Sequence, residues 1–194
     1  MMIDKRIQRS KKTLKEIFIQ LLAQKPFDQI TITEIVRTAG YNRGTFYSHF
    51  ETKENLLQEI IQETLHEMIK EVRQPYKELK RVNMKELQAK DLTFFHYFEK
   101  NAQLFNILLS DHLQVDFRYQ MAKAIEELFI REYQYEIKEE TQLDPKWLYI
   151  YRSHGIAGLV IRWIEDGFSP SSYYMSEQII ELMLIKTEVF QVKN

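Results

Sequence analysis

Between Thr31 and Lys53 the chain reads TITEIVRTAGYNRGTFYSHFETK, and this stretch constrains everything built around it. Thr31 followed three residues later by Glu34 is a capping-box signature. The threonine hydroxyl accepts from the Glu34 amide while the carboxylate reaches back. Ile32, Ile35 and Val36 then give a short helix one apolar face. Gly40 stands where the chain leaves that helix, and glycine tolerates the positive φ of such an exit. Asn42 is a good cap for a second short helix. Phe46 and Phe50, four apart, fall on one side of it and can bury. The opposite side shows Arg43, Thr45, Tyr47 and His49, with Gly44 leaving room for close approach. The pattern is two short helices joined by a tight turn at Ala39-Gly40-Tyr41.

Charge is divided along the chain. Residues 1–53 carry ten Lys and Arg against five Asp and Glu, a balance of +5, and the remainder carries seventeen against twenty-three, a balance of −6. A basic N-terminal module on an acidic body suits a protein that meets phosphate at one end. A polar, aromatic face with a base and a small residue suits a DNA groove. The 194 residues contain no cysteine, which excludes disulfides and thiolate metal sites and fits a reducing cytoplasm. No apolar run is long enough to span a bilayer, and no signal peptide is evident. Only 5 Gly and 4 Pro interrupt the chain, so long helices are expected.

Helix one is expected to be under way near Arg6, with Ile7, Leu14, Ile17, Phe18, Leu21 and Leu22 as its apolar stripe. After the helix-turn-helix, Thr52 caps a long fourth helix that ends near Gln74, before Pro75. Helix five is expected at about Lys85–Lys100, helix six at about Ala102–Leu109 with Asn101 as cap, and helix seven from about Leu113 to beyond Tyr135. Asp144-Pro145 opens helix eight, which stops at Gly167, and Ser169-Pro170 repeats the signal for helix nine. No segment reads as a strand. The expectation is an all-α chain of about nine helices, with a three-helix N-terminal domain at 1–53 and a larger helical domain at 54–194.

The run Thr31-Ile32-Thr33-Glu34-Ile35, the turn Ala39-Gly40-Tyr41, Gly44-Thr45-Phe46-Tyr47-Ser48-His49-Phe50 and Thr52-Lys53-Glu54-Asn55-Leu56-Leu57 together resemble the helix-turn-helix of the TetR family of transcriptional regulators. The close resemblance covers about the first quarter of the chain. It implies contact with double-stranded DNA through Thr31, Thr33, Asn42, Arg43 and Gly44, and through Thr45, Tyr47, Ser48, His49 and Lys53. Arg43 suits direct base readout, because a guanidinium bonds guanine O6 and N7 together. Lys53 suits a phosphate, helped by the positive end of its helix. Thr33 suits a phosphate, Thr45 a phosphate or a thymine methyl, and Tyr47 a phosphate or a base edge. His49 resembles a DNA-contacting position, although an isolated helix histidine is more often a surface residue.

The resemblance extends to the body in outline. Helices eight and nine are similar to the dimer-forming pair of the family, which puts Gly155, Gly158, Leu159, Trp163, Ile180, Met183, Leu184 and Thr187 at a homodimer interface. The alternative is that these residues pack inside one subunit. Family members usually hold a small-molecule effector among helices four to eight. Phe94, Phe98, Phe105, Phe117, Tyr119, Trp147 and Tyr151 are candidates to line such a pocket, with His96, His112 and His154 adding polar contacts. The alternative is that these aromatics fill a core. The stretch from Gly155-x-x-Gly158 to Trp163-x-x-x-Gly167 is similar to a subgroup that includes regulators of dihydroxyacetone kinase operons, some of which act with protein partners.

The expected function is a cytoplasmic homodimeric regulator, with repression at a palindromic operator and release by an effector. A co-regulator of the same fold acting through a protein partner is the alternative. No cofactor or metal is implied. A reactive constellation for an enzyme is lacking. There is no Gly-x-Ser-x-Gly elbow and no phosphate loop, and His66-Glu67 is not followed by the second histidine of a zinc motif.

Overall fold

A computed structural model describes residues 5–113, 115–137 and 141–185. Its helices are α1 (Lys5–Leu22), α2 (Ile32–Thr38), α3 (Arg43–Tyr47), α4 (Lys53–Arg73), α5 (Phe94–Lys100), α6 (Ala102–Leu108), α7 (Phe117–Glu132), α8 (Pro145–Glu165) and α9 (Ser172–Leu184). Short 3-10 turns lie at Phe27–Gln29, Gln74–Tyr76 and Ala89–Asp91, and no strand occurs among the described residues. The all-α expectation holds, with nine α-helices among the described residues. By internal packing the chain falls into two units, Met1–Glu67 with Asn101–Phe117, and Met68–Lys100 with Arg118–Asn194.

In the first unit, α1 packs on α2, α3 and α6. Leu14, Phe18, Ile35, Phe46, Leu56, Ile61 and Phe105 are almost wholly shielded from solvent. Phe18 meets Phe27 edge-on at 6.1 Å, and Phe105 meets Phe117 at 6.2 Å. Two expectations are corrected here. Ile7 does not join the stripe of α1 and is 51% exposed, while Ser10, one turn further on, is buried in the core-facing row. Phe50 is not on α3, which ends at Tyr47. It lies past the following turn, buried, with its ring 5.7 Å from that of Phe46.

In the second unit, α5 and the turn before it pack on α9. The Trp163 ring meets Phe95 at 5.3 Å and Phe168 at 5.1 Å, and its Nε1 donates to the Pro170 carbonyl at 2.6 Å. Helix α5 begins nine residues later than its pattern predicts. The intervening chain forms the 3-10 turn at Ala89–Asp91, where Asp91 accepts from the Gln88 amide at 3.0 Å, and Leu92 then turns extended. Helix α7 starts later and ends earlier than expected, and the Tyr133 carbonyl just beyond it accepts from the Tyr149 hydroxyl at 2.7 Å.

The start signal of α8 is confirmed: Asp144 accepts from the Lys146 amide at 2.9 Å, with Pro145 at the first helical position. Gly167, at φ +74°, carries the chain out. The cap of α9 is Ser171 rather than Ser169, accepting from the Tyr174 amide at 3.3 Å.

Candidate nucleic-acid interface

The helix-turn-helix is shaped by local bonds. Thr31 accepts from the Glu34 amide at 3.2 Å. The Lys25 ammonium, 2.6 and 2.7 Å from the two Glu34 oxygens, holds that carboxyl below its usual value, and the Thr31 backbone adds to this. At the other end of α2 the Tyr41 amide reaches the Val36 carbonyl at 2.8 Å and the Gly40 amide reaches Arg37 at 3.2 Å. Gly40 sits at φ +70°. This is a Schellman exit, and it reverses the chain within two residues.

Asn42 Oδ1 accepts from both the amide and the hydroxyl of Thr45, at 2.9 and 3.3 Å. The Ser48 hydroxyl donates to the Thr45 carbonyl at 2.8 Å. Asn42, Thr45 and Ser48 therefore stabilise the ends of α3 with the polar atoms that the sequence offered to DNA. Gly44 has a local reason as well, since a Cβ there would stand 3.2 Å from the capping oxygen. Arg43 and Tyr47 are exposed, and no hydrogen bond to either side chain occurs among the described residues. Thr33 is exposed at the first turn of α2.

His49 and Lys53 are placed differently from a free surface pair. His49 stands in the turn after α3, partly buried, with Nε2 2.8 Å from Ser10 Oγ. Burial and then the Lys11 charge push its imidazolium toward a lower pKa, with Glu59 pulling the other way. Lys53 Nζ donates to the carbonyls of Phe27 and Ile30, each at 2.9 Å, and lies 4.3 Å from the Phe27 ring centre. The ammonium closes the 3-10 turn at Phe27–Gln29. The sequence carries no sign of this, because the acceptors are backbone oxygens.

The basic charge of the N-terminal module is partly neutralised by carboxylates of α4. Lys11 reaches Glu59 at 2.7 Å and Lys15 reaches Glu63 at 2.6 Å, and Lys15 also pairs with Glu59. These ties fasten α1 to the first half of α4. Lys5, Arg9 and Lys12 remain exposed on α1.

In the second unit the proposed interface residues separate into two groups. Gly155 and Gly158 are exposed, and a Cβ at either would meet nothing within 4 Å. With Trp147, Tyr151 and Arg162 they form one outward stripe on α8 at spacings of four, four, three and four. Trp163, off that stripe, and Ile180 of α9 are buried, Leu159 and Met183 are intermediate, Leu184 is at the margin of exposure, and Thr187 lies outside the described residues. The candidate pocket residues are similarly divided. Phe94 and Phe98 are core residues of the second unit, and Phe105 and Phe117 of the first. Trp147 and Tyr151 are 60% and 77% exposed, which takes them out of any buried pocket wall. His96 and His112 are exposed, Tyr119 is 56% exposed, and His154 faces Glu126 at 3.3 Å.

No helix among the described residues is long and apolar enough to cross a membrane, and no group of three metal-binding side chains occurs among them. The profile of a transcriptional regulator C-terminal region matches residues 85–184, more than half of the chain, and that of the bacterial regulatory proteins of the tetR family matches residues 19–60. The chain belongs to the TetR family of transcriptional regulators. It is 41% identical over 68 residues to the HTH-type transcriptional regulator YxbF of Bacillus subtilis, a match spanning 34% of this chain and 18% of that protein. It is 21% identical over 184 residues to DhaS, the HTH-type dhaKLM operon transcriptional activator of Lactococcus lactis, covering 94% of this chain and 92% of that one. The solved structure of NalD, the secondary repressor of the MexAB-OprM multidrug efflux pump in Pseudomonas aeruginosa, superposes with a TM-score of 0.63 at 18% identity, covering 92% of this chain and 96% of that one. At such identity the TetR-family fold is what is shared.

Proposed function

We propose that this TetR-family regulator binds a palindromic operator as a homodimer and represses by occupying it. The observation that carries the reading is the pair of exposed, unbonded side chains on α3, Arg43 and Tyr47, presented by a turn whose other polar atoms are committed to its own caps. Arg43 reads a guanine edge, Tyr47 bonds a phosphate or base edge, Thr33 meets a phosphate, and His49 donates to the backbone from the turn behind. One three-helix head buries too little DNA for tight specific binding, so two heads on half-sites about one helical turn apart are required. The outward stripe of Trp147, Tyr151, Gly155 and Gly158 is the surface assigned to the dimer. Small residues let two helices approach closely, and the aromatics supply area.

Repression follows from occupancy alone, whereas activation needs an added polymerase contact. NalD is a repressor and DhaS an activator, and a promoter fusion distinguishes the two signs. An effector acts here only by binding the DNA-competent and incompetent forms unequally.

Selection of duplexes from a random library by the full-length protein, followed by affinity measurement across a salt series, tests the reading. The expected outcome is a two-fold symmetric site, two protomers per duplex and loss of preference at one base position per half-site in Arg43→Ala. Equal losses on selected and scrambled DNA remove Arg43 from base readout. A promoter fusion that rises rather than falls with the regulator overturns repression.

A further inference from the structure

Ser10 is a buried hydroxyl facing an aromatic ring across 39 residues of sequence. Its Oγ lies 3.1 Å from the Arg6 carbonyl, 3.0 Å from the Ile7 carbonyl and 2.8 Å from His49 Nε2. A hydroxyl has one hydrogen to give, and carbonyl oxygens only accept. The arrangement that satisfies every atom sends the serine hydrogen to a carbonyl of its own helix and leaves Oγ to accept from Nε2–H. The reverse sets the Oγ lone pairs against two carbonyl oxygens at 3.0 and 3.1 Å in a place 6% exposed to solvent. The neutral ring is thereby fixed with its hydrogen on Nε2 and a bare lone pair on Nδ1, which makes no hydrogen bond among the described residues.

We propose that Ser10 is a positioning residue that sets the tautomer of His49, and that DNA binding consequently takes up a proton at Nδ1. This rests on the reading that His49 meets a phosphate. A phosphate oxygen is an acceptor, and a neutral ring held in this tautomer offers it another acceptor. Only the imidazolium donates on both sides, from Nε2 to Ser10 and from Nδ1 to the phosphate. The charged groups facing the ring are Lys11 from α1 and Glu59 from α4, themselves paired at 2.7 Å. Among side chains it is imidazole that ordinarily titrates between about pH 6 and 8, so the proton-linked part of the affinity is assigned to His49.

The test measures operator affinity of the full-length protein at fixed salt from about pH 8 to about pH 6, beside Ser10→Ala and His49→Gln. The parent tightens as pH falls, by up to about tenfold per unit for each head, the limit set by one linked proton. In His49→Gln the slope drops by that amount. In Ser10→Ala the ring is free to place its hydrogen on Nδ1, so binding near pH 8 strengthens toward its pH 6 value and the slope shrinks. Nitrogen NMR of the free protein reads the tautomer without DNA, and Nε2–H is expected in the parent. A neutral ring carrying its hydrogen on Nδ1, or an unchanged slope in Ser10→Ala, overturns the proposal while leaving His49 at the phosphate. Parent-like affinity and slope in His49→Gln overturn the phosphate contact itself.

Discussion

A β-carbon at Gly44 would stand 3.2 Å from Oδ1 of Asn42, the atom that caps α3. Cap and glycine are therefore coupled. Asn42→Ala is expected to cost about 1 kcal/mol. Gly44→Ala gains up to about 1 kcal/mol of helix propensity and loses a similar amount by displacing the cap, for little net change. In an Asn42→Ala background the same substitution keeps its full gain. Urea unfolding of the four proteins in a double-mutant cycle checks this, and additive effects would show that the cap yields freely.

Lys53 separates two roles that share one position. As a clamp on the Phe27 and Ile30 carbonyls it stabilises the first unit, so Lys53→Met is expected to lower stability by about 1–2 kcal/mol, the range for charge-assisted bonds after allowance for partial exposure. The slope of log affinity against log salt is expected to stay at its parent value. A phosphate contact would instead reduce that slope by about one per head.

Tyr151 and Trp163 stand on different faces of α8, one 77% and the other 2% exposed. Tyr151→Glu should leave the circular dichroism spectrum and the stability of the chain within about 0.5 kcal/mol of the parent. It should weaken self-association at least about tenfold in a sedimentation series, through an unpaired charge placed in an apolar contact. Trp163→Ala should cost about 3–5 kcal/mol, as an emptied aromatic site in a core does. Unaltered association in Tyr151→Glu would move the dimer to another face.

Glu126 is a buried acid of the second unit, with Lys123 at 2.6 Å and His154 at 3.3 Å. The Lys123 ammonium first, and His154 after it, hold its carboxyl below the ordinary 4.5. A depressed folded value contributes stability that is complete above the unfolded value and lost as pH falls through the folded one. Acidification from about pH 6 to about pH 3 should therefore destabilise the parent more than Glu126→Gln, measured by urea midpoints at each pH.

What the sequence reveals and what it hides divide by distance along the chain. The caps at Thr31, Asn42 and Asp144 and the exit at Gly40 involve residues two to five apart, and each was legible. The partners of His49 and Lys53 lie 39 and 23 residues away, and a motif match marks the position without showing what it bonds. Lys11 and Lys15 count as free charge in a composition, and only folding brings Glu59 and Glu63 to them. Trp147 and Tyr151 read as pocket aromatics because periodicity cannot say which side of α8 faces outward. The late start of α5 was hidden for a related reason, since the apolar spacing before it suits a helix and the break at Leu92 leaves no mark in residue type.

The open space beside Gly155 and Gly158 separates folding from pairing. A side chain added at either position meets nothing within 4 Å in its own chain and brings only the ordinary gain in helix propensity over glycine, so on the proposed dimer any clash comes from across the stripe. Duplicated copies of such a gene can then drift at these two positions without losing their fold. On the proposed dimer, such copies would part into pairs that no longer exchange subunits.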